Sequence, residues 1–221
     1  MSRSLTSNWG IRTLERSDEP TSIPPEAEPL RVTRSYDMTV RGRRAARTTE
    51  RIVTATEALL REGPLGEVTL EAVARGAGVS VQTVLRHMGS RQGCLEAVGA
   101  RVRARVQEQR SRAGPGDVKG ALTELVAHYE AEGRLVLHLL AQEGVEPFAR
   151  GAAATGRDYH RAWVRRCLGN SADPPDPETL DALVAATDLY VWKLLRLDLA
   201  RSPGEVTRVM IRLVQGILEP Q

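Results

Sequence analysis

Aromatic side chains are scarce in this chain, with one Phe, three Trp and four Tyr among 221 residues. A core must therefore be filled by Leu, Val and Ala, which suits helices. Cysteine is nearly absent. Cys94 and Cys167 stand far apart in sequence, make no disulfide framework and have no C-x2-C partner. The four His residues lack H-x3-H spacing, so His128 and His138 would share a metal only through the tertiary fold. No G-x-S-x-G, phosphate loop or dinucleotide glycine fingerprint is present. These absences argue against an enzyme, a metal site and a bound cofactor. No apolar run approaches the ~18–20 residues of a membrane helix, and the N-terminus lacks the apolar centre of a signal peptide. A cytoplasmic protein without a membrane partner is expected. Strand-like alternation and internal repeats are missing as well, leaving an all-α fold class.

What is present is unevenly charged. The net charge is +3, but residues 1–112 carry 19 Arg against 13 Asp or Glu, whereas residues 113–221 carry 12 basic and 15 acidic side chains. A polyanion would bind the first half. Residues 1–40, with Pro20, Pro24, Pro25 and Pro29 among polar residues, show no period and read as a disordered tail, taken here as an inert extension. Four cations then follow in seven residues, Arg41, Arg43, Arg44 and Arg47. They sit just before or at the start of a first helix, expected from about Arg44 to Arg61 and ended by Gly63 and Pro64. Arg44 and Arg47 are candidate phosphate contacts.

The stretch TLEAVARGAGVSVQTVLRHMGSR, from Thr69 to Arg91, organises the rest. Leu70, Val73, Ala74 and Ala77 give a short helix one apolar face, and Thr69 can cap it. Gly78 supplies a turn. Ser80 caps a second short helix whose buried side includes Val84. This is a helix-turn-helix pattern, whose second helix enters the major groove of double-stranded DNA. That helix should present Val81, Gln82, Thr83 and Arg86, with His87 near its end. Gln reads adenine and Arg reads guanine through paired bonds, and Val or Thr methyls meet thymine. Ser90 caps a fourth helix with Leu95, Val98, Val102 and Val106 as its seam. Arg91 in its first turn is placed to share a phosphate with the free backbone amides. Gly93, a poor helix former, predicts a loose start there.

GVSVQTVLRHMGSRQGCLEAV resembles the tetracycline-repressor (TetR) family of bacterial regulators, whose motif runs G-V-S-x-x-T-x-Y-x-H-F-x-x-K-x-x-L. Gly78, Val79, Ser80, Thr83, His87 and Leu95 match it; Leu85, Met88 and Arg91 depart from it. The resemblance is strong over about residues 44–102, and MTVRGRRAARTTERI from Met38 resembles a usual start of the family. It implies DNA contacts from Thr83, His87 and Arg91, and Ser80 is a further DNA-binding candidate. Leu85 loses the phosphate-binding hydroxyl of the usual tyrosine. It also implies a homodimer and a C-terminal pocket whose small-molecule occupant alters the spacing of two DNA heads.

Gly114, Pro115 and Gly116 mark the expected boundary between a head with its connecting helix, residues 41–112, and a helical bundle, residues 113–221. Among polar groups on otherwise apolar helices of the bundle, Tyr129, His138, Tyr159, Trp163 and Asp188 are the candidate ligand-binding residues. Tyr159 and Trp163, four apart, are the leading pair, in a mainly apolar wall that favours a lipophilic or aromatic effector. The last two helices carry the expected dimer interface, through Leu183, Val191, Val206, Val209, Met210, Leu213 and Ile217. The expected function is a repressor released from a palindromic operator. An activator of the same fold, or a helical scaffold with a weakened DNA head, is the competing reading.

Overall fold

The computed structural model describes residues 33–169 and 175–219, with side chains from residue 40 onward. Of the tail expected over residues 1–40, residues 1–32 lie outside the described residues, as do residues 170–174, while residues 33–40 are helical and not a tail. Every regular element among the described residues is helical.

The first helix, α1 (Thr33–Glu62), begins well ahead of the expected Arg44. No proline follows Pro29 in this stretch, and lengthening a helix already nucleated adds one hydrogen bond per residue fixed. A 3-10 turn at Leu65–Glu67 leads to α2 (Leu70–Ala77) and α3 (Val81–Met88). The caps fall where the sequence places them. Thr69 accepts from the Ala72 amide, Ser80 from that of Thr83, and Ser90 from that of Gly93 at the start of α4 (Arg91–Arg110). Gly78 closes α2 in the left-handed region at φ 61°. The start of α4 is not loose as expected: Gly93 is needed there, because a Cβ would run into the Met88 carbonyl.

The second half begins with α5 (Val118–Leu140), capped by Asp117. Next comes α6 (Pro147–Cys167). The apolar stretch from Pro177 past Leu195 does not form one continuous helix. It forms α7 (Pro177–Ala186) and α8 (Leu189–Lys193), which continues into a π-helical turn at Leu194–Asp198. The break has a local cause. The Thr187 hydroxyl folds back to donate to the Leu183 carbonyl at 2.8 Å, and the Asp188 carboxylate caps the new start through the Tyr190 amide. A Ser202–Glu205 capping box opens α9 (Pro203–Leu218).

Two apolar clusters hold these helices. One gathers Ile52, Leu60, Leu65, Val73, Val84, Leu95 and Val98 of the head, together with Leu135 of α5 and Ala149 of α6. The other joins Leu122, Leu125, Trp163, Leu183, Trp192, Val206, Met210 and Val214. Helix α5 lies at the centre, packed on α4, α6, α8 and α9. Because Leu135 and Ala149 complete the head's own cluster, the turn at Gly114–Gly116 is a bend in the chain and not a gap in the packing. Arg41–Gln221 forms one compact unit.

Candidate functional site

Val84 roots α3 in the head at 0% exposure, so the helix turns its other sides outward. Gln82 and Arg86 are exposed, and Val81, Thr83, Leu85 and His87 are half-buried. The Thr83 hydroxyl pairs with the Ser80 hydroxyl at 2.9 Å, and the Thr49 hydroxyl pairs with His87 Nδ1 at 3.0 Å. Beside them, Arg41, Arg44, Ala45 and Thr48 of α1 and Arg86 and His87 of α3 line one concavity. Arg47 is also exposed. The basic run and the recognition helix thus share one surface, with bidentate donors flanked by cations.

Arg91 is used differently from the expectation. Its Nε donates to the Val68 carbonyl at 2.8 Å, and a terminal N–H donates to the Leu65 carbonyl. Both are carbonyls of the turn before α2; that of Leu65 also accepts from the Val68 amide at 3.0 Å. The guanidinium therefore braces the head from inside rather than reaching out for phosphate. Arg51, which the sequence did not single out, does the same for the helix-turn-helix bend: it donates to the carbonyls of Ala77 and Gly78. A Cβ on Gly78 would stand 2.7 Å from the Arg51 terminal nitrogen.

Head and bundle meet at a cluster of charges. Glu57 of α1 and Glu132 of α5 are both nearly buried. Arg61 bridges them at 2.8 and 2.6 Å, and Arg105 of α4 does so at 2.7 and 2.8 Å. Burial works against the Glu57 carboxylate, but hydrogen bonds from Arg105 and Arg61 more than offset it and hold it below the usual range. His138, expected in the ligand site, belongs to this junction. Its Nε2 faces the Gly63 carbonyl at 2.6 Å, and since a carbonyl only accepts, Nε2 carries the proton. Gln142 completes the seam by accepting from the Leu65 amide at 2.9 Å.

A cavity of about 530 Å³ lies among α4, α5, α6 and the α7–α8 bend. Its apolar wall includes Val98, Val102 and Val106 of α4, Leu139 and Leu140 of α5, and Phe148 of α6. Only the first part of the expected α4 seam is packed: Leu95 and Val98 are buried, while Val102 and Val106 are half-buried and face this space. Tyr129, Tyr159 and Asp188 are among the residues that line it. Trp163 stands behind the wall, stacked on His160 with ring centroids 5.9 Å apart.

The residue that dominates the cavity is one the sequence reading missed, Arg110, the last residue of α4. It is 3% exposed. Its guanidinium carbon lies 5.1 Å from the Trp163 ring, 5.5 Å from Tyr159 and 5.8 Å from Tyr129. One terminal nitrogen is 3.3 Å from His160 Nδ1. The tautomer follows from the chain of bonds. The Thr187 hydroxyl donates to Leu183, so it accepts from His160 Nε2 at 3.1 Å, and Nδ1 is left as an acceptor for Arg110. Burial, reinforced by the nearby Arg110 charge, pushes both His160 and His128 down to about 3. Burial raises the Tyr129 phenol to about 12, and its hydroxyl donates to the Thr187 carbonyl at 2.9 Å.

The expected dimer residues divide. Leu183, Val206 and Met210 are 0% exposed and fill the bundle's own core, and Val191 and Ile217 pack against that core from its edge. A stripe with full helical period must first cover its own bundle, which accounts for these five. Val209 and Leu213, four apart on α9, remain 37% and 43% exposed, and Leu194, Leu199 and Tyr190 are exposed nearby in sequence on the preceding segment.

Among the described residues, no group of three His, Cys, Asp or Glu is placed to hold a metal ion, and no helix is long and apolar enough to cross a membrane. Residues 52–98, from mid-α1 into α4, match the family model described as bacterial regulatory proteins, tetR family. No curated protein matches the chain. Two solved structures are similar in fold. A transcriptional regulator from Rhodococcus sp. Rha1 is 19% identical, with 77% of this chain and 95% of that one covered and a TM-score of 0.56. The multidrug binding protein EbrR, complexed with imidazole, is 21% identical, with 74% and 88% covered and a TM-score of 0.51.

Proposed function

We propose that this chain, which belongs to the tetR family of bacterial transcriptional regulators, is a homodimeric cytoplasmic repressor released from a palindromic operator when a small apolar molecule enters the cavity. The observation that carries this reading is the path of α4. It starts under the recognition helix and ends at the cavity wall, so a ligand that displaces its far end moves the head. Gln82 and Arg86 read bases, and Arg44, Arg47 and the His87 edge hold phosphates. Val209 and Leu213 join two copies through α9, and two symmetric heads demand an inverted repeat. EbrR is described as a multidrug binding protein, which accords with a ligand-responsive role for this fold.

A gel-shift against the DNA upstream of the chain's own gene tests the reading. The protein should retard that DNA specifically and less so as salt rises, and Arg86→Ala should weaken binding and relax its preference. Equal retardation of unrelated DNA by wild type and variant would refute it.

A further inference from the structure

We infer that the cavity's ligand is an apolar carboxylic acid and that Arg110 is its counter-ion; this rests on the ligand reading of the cavity above. The other buried carboxylates among the described residues are matched: Glu57 and Glu132 each meet Arg61 and Arg105. Among the described residues Arg110, at 3% exposure, has no carboxylate partner, and its Nε has no hydrogen-bond partner. What surrounds it is neutral or π-faced: His160 Nδ1, the Tyr129 hydroxyl oxygen and three aromatic rings. The carbonyl end of α4 adds a partial negative charge, but a helix terminus is only a fractional counter-ion. A buried cation without a full partner is strongly unfavourable, and here it lines a cavity large enough for a drug-sized molecule.

The chemistry of the missing partner follows. The planar fork of a guanidinium matches the two oxygens of a carboxylate. One cation neutralises one charge, whereas a phosphate dianion would leave excess negative charge among apolar walls. A cationic ligand would add to the mismatch, and a neutral one would leave it. The remaining wall of Val, Leu and Phe asks for an aliphatic or aromatic body on that carboxylate. Arg103, Arg157 and Arg161 line the cavity together with Asp158 and Asp188, and Arg157 and Arg161 are already paired with Glu143 and Asp181, so the choice of an anion rests on the buried Arg110.

The test is calorimetric titration of the full-length protein with two acids and their neutral amides. Decanoate and decanamide form the aliphatic arm, para-butylbenzoate and para-butylbenzamide the aromatic arm. At least one acid should bind about tenfold or more tightly than its amide, as a charge-assisted hydrogen bond implies. The arm in which it does so identifies the body. In Arg110→Met, acid binding should fall to the level of the amide, amide binding should not weaken, and the melting temperature of the ligand-free protein should not drop. Arg110→Lys, which keeps the charge without the fork, should retain part of the preference. An amide equal to its acid in the wild type, no binding of either acid, or an acid preference that survives Arg110→Met would overturn the inference. Acid binding through Arg110 with no effect on DNA would instead sink the regulatory reading and leave the counter-ion standing. DNA release by a neutral compound, with no acid preference, would do the reverse.

Discussion

Arg91 and Arg110 are the first and last residues of one helix, and each is fixed at a different end of the regulator. Arg91 donates into the head, to the Val68 and Leu65 carbonyls, and Arg110 is enclosed by Trp163, Tyr159 and Tyr129 beside the cavity. A helix of 20 residues spans about 30 Å. Between the two ends, Arg105 is clamped to Glu57 and Glu132, which links α4 to α1 and α5 on the way. On the proposed reading, a ligand that displaces the Arg110 end of α4 acts on the brace at Arg91 through this clamp.

Gly78→Ala should destabilise the head by about 1–2 kcal/mol, the penalty of a left-handed backbone for a residue with a Cβ. The new methyl also crowds the Arg51 nitrogen that ties the bend to α1, so DNA affinity should fall too. Gly42→Ala is the control, since nothing lies within 4 Å of its Cβ position in the exposed part of α1. It should stabilise by up to about 1 kcal/mol. Urea denaturation of both variants checks the pair; equal and opposite shifts in the reverse sense would contradict the assignment.

Acid should weaken the fold well before the carboxylates titrate. His128 and His160 have folded values near 3 against about 6.5 when unfolded, because burial and Arg110 oppose their charged forms. A base with a depressed value adds stability that is complete above about pH 6.5 and is lost as pH falls toward 3. Within that window the slope is about 1.4 kcal/mol per pH unit for each histidine. Glu57, held low by Arg105 and Arg61 despite burial, adds a loss in the same direction below its unfolded value. Urea midpoints at about pH 7.5 and pH 5 should differ clearly, and His128→Phe should flatten the difference; coincident wild-type midpoints would refute the neutral-histidine account.

Much of the head was legible because short-range rules decide it. Thr69, Ser80 and Ser90 are caps, glycine is the residue type that meets the backbone angle at 78 with least strain, and Val84 must be inside. The fate of Arg91 was not legible. Its partners are carbonyls of a turn more than twenty residues earlier, and a motif position does not say which way a guanidinium turns. The same holds for His138, paired with Gly63 across the junction. Arg110 left a trace that was overlooked: Val98, Val102 and Val106 step by four along the α4 seam, and the next step is an arginine. An arginine on an apolar stripe is either a snorkelling end or a buried charge, and only the packing of α5 and α6 decides. For the expected dimer face, periodicity singled out α9 without separating its two sides, since the stripe that covers the bundle is the stronger one.

Val209→Glu with Leu213→Glu should leave the subunit folded and monomeric, because both side chains lie outside its core. Met210→Glu should unfold it, since that position is fully buried. Sedimentation together with circular dichroism separates the two results. A dimer that survives the double change would place the interface elsewhere.

Leu85→Tyr should tighten binding to all DNA sequences alike. Leu85 is half-buried on α3, beside the fully buried Val84, and a tyrosine hydroxyl there would donate to a phosphate. Such a bond is worth about 1.5 kcal/mol at a wet site, and phosphate contacts carry no base information. Anisotropy on operator and random DNA measures it; unchanged affinity with unchanged melting would mean that this head docks at a different angle.

The most direct test of the coupled account fills the cavity without any ligand. Ala152 lines it from α6, remote in sequence from every base-reading residue, so Ala152→Trp places an indole where the effector would lie. The measurement is the affinity of this variant for an inverted repeat selected from random DNA by the wild type. The account predicts a dimer of undiminished melting temperature whose affinity is reduced by roughly 5–150-fold, the usual range of coupling between two sites. A filled, stable dimer that binds the repeat as tightly as the wild type would contradict it.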